Sequence, residues 1–343
     1  MHRSLRRSFT GVTLAAALAL AACGSDANHA GGAATTNVGT TATTATAATT
    51  TVAAPTTAAP TTTTTITAVT FPVTVKTSTG DVVVKAKPTK IVSLSPTGTE
   101  MLFAIGAGPQ VLAVDDQSNY PANAPKTDLS GFQPNVEAIA KYAPDLVVVD
   151  SDSAGLTASL GQLGVPVLVE PAAMTLDDTY AQLEQLGRAT GNPAGAETTV
   201  TKMRDGIAAI VKSMPKRATP LSFYHELDDT LYSVTSKTFI GQVYAMLGLS
   251  NVADAADATA SGFPQLSAEY LVTANPDVIF LADTKCCKQD ATTLAARPGF
   301  AQLKAVKNGN VVLLDDDLAS RWGPRVVDFA KSVSDAVAKL PGS

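Results

Sequence analysis

Glu137-Ala138-Ile139-Ala140-Lys141-Tyr142-Ala143-Pro144-Asp145 runs into Leu146-Val147-Val148-Val149-Asp150. Far downstream, Glu269-Tyr270-Leu271-Val272-Thr273-Ala274-Asn275-Pro276-Asp277 runs into Val278-Ile279-Phe280-Leu281-Ala282-Asp283. Each reads as a glutamate, a short helix, a Pro-Asp break and an apolar run. A run of four apolar residues after a proline break predicts a strand covered on both faces. Other matches flank the pair in the same order. Gly131-Phe132 precedes the first stretch and Gly262-Phe263 the second. Glu100 to Gly106 likewise matches Gln242 to Gly248. Repeated matches in one order predict two related lobes.

Working outward, Phe71–Val84 predicts a hairpin around Thr79-Gly80-Asp81. Ile91-Val92-Ser93-Leu94 predicts a short buried strand. Ser95-Pro96 supplies a helix cap and a first-turn proline. Strand segments at 111–114, 146–149 and 165–169 alternate with helices at 136–142 and 156–163. Such alternation predicts a mainly parallel sheet covered on both faces. A helical stretch then runs from Leu176 to Met214, restarting at Asn192-Pro193. From Pro193 to Met214 it reaches roughly 33 Å, long enough to join two lobes. The chain closes with a strand at 311–314, an Asp315-Asp316-Asp317 loop and a helix from Pro324 to Leu340. The fold class is therefore α/β: two similar parallel-sheet lobes joined by a long spine helix. The expected boundaries are 71–175, 176–214 and 215–343.

The first seventy residues read differently. Residues 1–22 hold a basic start, with Arg3, Arg6 and Arg7, and an apolar run of about 12 residues. The run ends in Leu20-Ala21-Ala22-Cys23, which resembles a bacterial lipobox with Cys23 as the lipidated residue. Arg6-Arg7-Ser8-Phe9 also resembles a twin-arginine signal, so the export route stays open. The rest of 23–70 is rich in Thr, Ala, Gly and Pro, with little to bury. It predicts a disordered tether, with its threonines open to glycosylation. Its coil reach is roughly 40 Å.

Charge and composition narrow the function. The 343-residue chain carries 25 basic and 30 acidic side chains, a net charge of −5. Loss of the basic leader makes it more acidic, which argues against nucleic acid as a partner. Three cysteines do not make a disulfide scaffold. Beyond residue 70, His225 is the one histidine, and no G-x-S-x-G elbow occurs. That argues against a secreted hydrolase and against a site for free zinc or manganese.

The ordered set Ile91 to Glu100, Asn135-Val136-Glu137 to Pro144-Asp145, Phe263-Pro264 to Glu269, and Arg321-Trp322-Gly323-Pro324-Arg325 resembles a known family. It is that of the substrate-binding lipoproteins of ABC importers, the helical-spine (class III) type that takes iron–siderophores, haem or cobalamin. The Ser118-Asn119-Tyr120-Pro121 loop, Phe132 and Pro324-Arg325 most resemble the cobalamin binders. The resemblance implies a non-enzymatic, monomeric binder, lipid-anchored on the outer face of the cell membrane. Its partner would be an ABC permease dimer with its ATPase. It implies rigid lobes, and a cofactor-free cleft that takes a corrinoid, haem or ferric siderophore. A membrane-tethered ligand sensor is the alternative.

Large flat ligands need apolar walls and a few directed polar groups. The candidates are Tyr120, Phe132, Tyr224, His225, Phe263 and Trp322, the chain's one tryptophan. Arg325, and with it Arg321, would hold a ligand carboxylate or phosphate, or else pair with Asp315–Asp317. The resemblance assigns Glu137 and Glu269 to permease docking; as helix-start acids they also suit the helix dipole. Cys286-Cys287 are adjacent, and three states stay open for them: a vicinal bridge, two free thiols, or partial metal ligation.

Overall fold

The computed structural model describes Ala68–Leu340. The export signal, Cys23 and the tether up to residue 67 lie outside those residues. The described residues fall within one unit.

The first lobe opens with a hairpin, β1 (Val73–Thr77) and β2 (Gly80–Val84). β3 (Ile91–Leu94) follows and is buried at every position. Ser95 caps α1 (Pro96–Ala104), accepting from Gly98 N at 3.1 Å. Then come β4 (Val111–Asp115), β5 (Lys126–Leu129), α2 (Val136–Ala140), β6 (Leu146–Val149), α3 (Leu156–Gln162) and β7 (Val167–Val169). The five strands β5-β4-β3-β6-β7 are parallel, with β3 central. The sequence reading gave no strand at β5. It is an edge strand in which only Leu129 is buried, so it carries no apolar signature.

The 176–214 stretch assigned to the spine breaks at the expected Asn192-Pro193 restart into two helices, α4 (Leu176–Thr190) and α5 (Pro193–Ser213). Gly191 stops α4 in the left-handed region at φ 70°, and α5 packs back against α4. α5 alone joins the lobes. Near its start, a Cβ on Gly195 would fall 1.9 Å from the Ile105 carbonyl of the first lobe. Near its middle, Gly206 lies against Val327 of the second lobe.

The second lobe holds β8 (Ser222–Glu226), α6 (Phe239–Met246), β9 (Ser250–Asn251), α7 (Ala268–Ala274) and β10 (Val278–Leu281). It continues through α8 (Ala291–Ala295), α9 (Lys304–Lys307), β11 (Val311–Leu313), α10 (Asp316–Ser320) and α11 (Val326–Ala338). Its parallel order is β11-β10-β8-β9. The Asp315–Asp317 stretch is no loop: Asp315 caps α10 by accepting from Leu318 N at 3.1 Å.

The two lobes follow one path: β9-β8-β10-β11 repeats β4-β3-β6-β7. The Pro-Asp signature has the same job in both. The Asp145 carboxylate accepts from Thr89 N (2.9 Å), Thr89 Oγ1 (3.0 Å) and Lys90 N (2.9 Å), beside the start of β3. The Asp277 carboxylate accepts from Ser222 N and Oγ, both at 2.8 Å, at the start of β8. The residue before each proline, Ala143 or Asn275, has φ of 46° or 47°. Each lobe buries an outer cluster around Ile139 or Leu271. One inner cluster runs unbroken from Val75 and Met101 through α4 and α5 to Phe280 and Phe329. A shared interior of that kind resists hinge motion, because packed cores do not deform continuously.

Candidate functional site

Loops that leave the C-terminal ends of both sheets meet at one seam. From the first lobe come α1 and the turn after β4; from the second comes the link between α10 and α11. Glu100 on α1 is buried and accepts from two arginines of the second lobe. Arg321 Nη1 lies 2.8 Å from its Oε1, and Arg325 Nε lies 2.9 Å from its Oε2. Arg321 also donates to Asn119 Oδ1 (2.9 Å), Gln117 O (3.2 Å) and Asp317 Oδ1 (2.9 Å). Asn119 donates back to Asp317 Oδ2 at 3.0 Å. The expected arginine–aspartate pairing therefore holds for Arg321 in part. Arg325 pairs instead with Glu100, 225 positions away in sequence. Its guanidinium also sits 4.2 Å over the Tyr120 ring, within cation–π range.

The aromatic candidates divide by exposure. Phe132 is 90% exposed, Phe263 49% and Tyr120 46%. Gly131 presses the Phe132 turn against the sheet: a Cβ there would lie 2.4 Å from Leu94 O and 2.7 Å from Asp115 Oδ2. Phe132 thus stands above the ends of β3 and β4. On the second lobe, Gly262 packs on Thr238, the cap of α6, which puts Phe263 beside the loop after β8. Tyr232, 40% exposed, lies in a segment bridged antiparallel to Gln265. The sequence reading passed over Tyr232; its position a few residues beyond a central strand was the available signal.

Trp322 is half-buried at the seam and packs against the inner cluster. Its Nε1 donates to Gln182 Oε1 of α4 at 2.9 Å, and Gln182 Nε2 donates to Pro171 O at 2.6 Å. Next to Pro171, at the end of β7, Glu170 is buried with no partner for Oε1. Burial pushes its carboxyl up to about 8.

Tyr224 and His225 do not reach a cleft. The sequence placed them just after a strand, but they lie within β8 and are fully buried. A central strand covered on both faces buries its polar side chains too, and all but His225 Nε2 are paired. Tyr224 OH donates to Glu226 Oε2 at 3.1 Å. His225 Nδ1 bonds Tyr244 OH at 2.8 Å. Burial holds the His225 pKa down to about 3, so the ring is neutral. Beside them Arg297 grips Glu226 in bidentate fashion, with both distances 2.7 Å. Asp283, at the end of β10, is fully buried. Burial and the Glu226 carboxylate push its carboxyl up to about 7. Among the described residues no group of three or more His, Cys, Asp or Glu side chains is placed to hold a metal ion.

Glu137 and Glu269 are exposed and occupy the second position of α2 and α7, whose caps are Asn135 and Ser267. Cys286 and Cys287 are free thiols. No described helix is long and apolar enough to cross a membrane.

The paired parallel sheets, the single bridging helix and the seam between strand ends define a two-lobed solute-binding protein. Residues 91–318 match the family model described as periplasmic binding protein, and the chain belongs to that family. It is 30% identical over 281 residues to a Bacillus subtilis protein named as an uncharacterized ABC transporter substrate-binding lipoprotein. That match covers 78% of this chain and 86% of the relative. It is 31% identical over 272 residues to a cobalamin-binding protein of Halobacterium salinarum, covering 76% and 73%. A solved Staphylococcus epidermidis structure, described as a possible iron-binding periplasmic solute-binding protein, superposes with a TM-score of 0.66 at 27% identity. There the cover is 74% of this chain and all of the other. The vitamin B12-binding protein of Vibrio cholerae shares the fold, with a TM-score of 0.60 at 24% identity over 74% and 97% of the two chains.

Proposed function

We propose that this chain captures a corrinoid between its lobes and hands it to an ABC permease dimer with its ATPase. In this reading it works on the outer face of the cell membrane, held there through lipidated Cys23. The observation that carries the reading is the exposed aromatic set at the strand ends of both lobes: Tyr120 and Phe132 on one, Phe263 and Tyr232 on the other. Exposed aromatics are rigid surface suited to a broad, partly apolar ligand. Relatives named as cobalamin-binding and vitamin B12-binding proteins support the corrinoid over other metal chelates. The burial of His225 supports it further, since no described histidine is exposed to ligate a haem iron. Glu137 and Glu269 would dock one to each permease subunit, because equivalent sites on related lobes suit a two-subunit partner.

The test is titration of the purified protein with cobalamin, haem and ferric siderophores, read by Trp322 fluorescence. Saturable quenching by cobalamin at micromolar or tighter affinity is expected. Quenching by haem or a siderophore alone reassigns the ligand, and no quenching by any of them overturns the metal-chelate reading.

A further inference from the structure

The binding site leaves one singled-out feature unused, the turn after β10 that carries Cys286 and Cys287. An extended chain would send neighbouring side chains to opposite faces. This turn does not run straight. The Asp316 carboxylate accepts from Thr284 Oγ1 (2.8 Å), Lys285 N (2.9 Å) and Cys286 N (2.9 Å). Asp283 O accepts from Cys287 N (3.2 Å) and Gln289 N (3.3 Å). Lys288 turns the chain at φ 57°. Curled between these two anchors, the Cys287 thiol sits near enough to that of Cys286 to raise its pKa. Cys286 is exposed and Cys287 partly so. The chain's remaining cysteine is Cys23, so within the described lobes each thiol has only the other to bridge.

We propose that Cys286-Cys287 is a redox modification site that closes to a vicinal disulfide by exchange with a low-molecular-weight disulfide. The Cys286 sulfur, as thiolate, attacks one sulfur of the reagent, forming a mixed disulfide and expelling one thiolate. The Cys287 sulfur then attacks Cys286, closing the ring and expelling the second. Two protons leave the protein, two electrons pass to the reagent, and two small thiols result. Partial burial, the Cys287 thiol and the nearby Asp316 and Asp283 carboxylates push the Cys286 thiol up to about 12. Closure is therefore slow near neutral pH. Reopening is slow for the same reason, because a thiol of high pKa is a poor leaving group. An exported compartment supplies the oxidising conditions.

The experiment incubates the whole protein, carrying Cys23→Ser so that Cys286 and Cys287 are its two thiols, with oxidised glutathione at mildly alkaline pH. It reads intact mass and free thiols over time. The expected result is loss of two hydrogens, loss of both thiols together, no retained glutathione and no covalent dimer. Cys286→Ser and Cys287→Ser should each instead retain one glutathione. A stable glutathione adduct on the protein that keeps both thiols would overturn the proposal. So would a disulfide-linked dimer, or two thiols that stay titratable.

Discussion

The two lobes share a scaffold and differ inside it. Aligned on Asp145 and Asp277, the ladders place Ser93 of β3 where β8 has His225. Each bonds a side chain on the helix that follows: Thr99 Oγ1 donates to Ser93 Oγ at 2.9 Å, and His225 Nδ1 meets Tyr244 OH at 2.8 Å. One link, from central strand to next helix, is made by neutral hydroxyls in one lobe and by an imidazole in the other. One residue on, Leu94 stands where the second lobe buries Glu226 against Arg297. The staples at the strand starts are common to both lobes, while the chemistry at the strand ends is not. Backbone closure tolerates one solution, whereas an interior accepts different side chains provided most of their polar atoms find partners.

The comparison is broken most severely at Glu226. Glu226→Ala strands the Arg297 guanidinium and should cost about 3–5 kcal/mol. Ser93→Ala removes two neutral bonds, the one to Ser95 O long at 3.4 Å, and should cost about 1–2 kcal/mol. Urea midpoints at neutral pH read both, and equal losses would erase the contrast.

Acidity separates the lobes next. His225 has a folded pKa near 3 against an ordinary 6.5, so the unfolded chain binds the extra proton in that window. Its share of stability is intact above 6.5 and declines as pH falls, by about 2 kcal/mol between pH 7 and 5. His225→Gln should flatten that limb. Glu170, near 8 against 4.5, works in the opposite sense: its contribution declines as pH rises through that window. Glu170→Gln should raise the melting temperature more at pH 8 than at pH 5. Asp283, near 7, adds a limb of the same sign in the second lobe. The opposing limbs overlap below pH 6.5, so each is read by its own substitution: a melting profile against pH that neither His225→Gln nor Glu170→Gln changes would remove both assignments.

The staples should sharpen the likeness. Asp145→Ala and Asp277→Ala each leave strand-start donors unmet and should cost about 1–2 kcal/mol apiece. A much larger loss in one lobe would show that the repeat is only topological. Smallest in stability are Glu137→Ala and Glu269→Ala. Both carboxylates are exposed, so melting and ligand binding should hold while uptake by cells falls. Lost ligand binding would place them in the cleft instead.

Much of the fold was legible because its signals are local. The bounds of β3 and β6 match the sequence reading residue for residue, since four buried positions between breakers, all apolar in β6 and all but Ser93 in β3, admit little else. β5 and β9 were missed because edge strands need no apolar run. The candidate site was legible in part. Tyr120, Phe132 and Phe263 sit in exposed loops as expected, while Tyr224 and His225 were placed one element too late. A mixed run such as Ser222-Phe223-Tyr224-His225-Glu226 hides its burial, because the partners of His225 Nδ1 and of Glu226, Tyr244 and Arg297, are distant in sequence.

The sequence by itself determined the duplication, the strand–helix alternation and the Pro-Asp breaks. Each of these rests on residues near one another in the chain, where periodicity and capping act. Tertiary structure alone decided that Glu100 holds Arg321 and Arg325, that Gln182 takes the Trp322 indole, and that Asp283 is left without a countercharge of its own. Those outcomes depend on which groups meet after the lobes close on α5, and charge pairing across two hundred residues leaves no mark in local pattern.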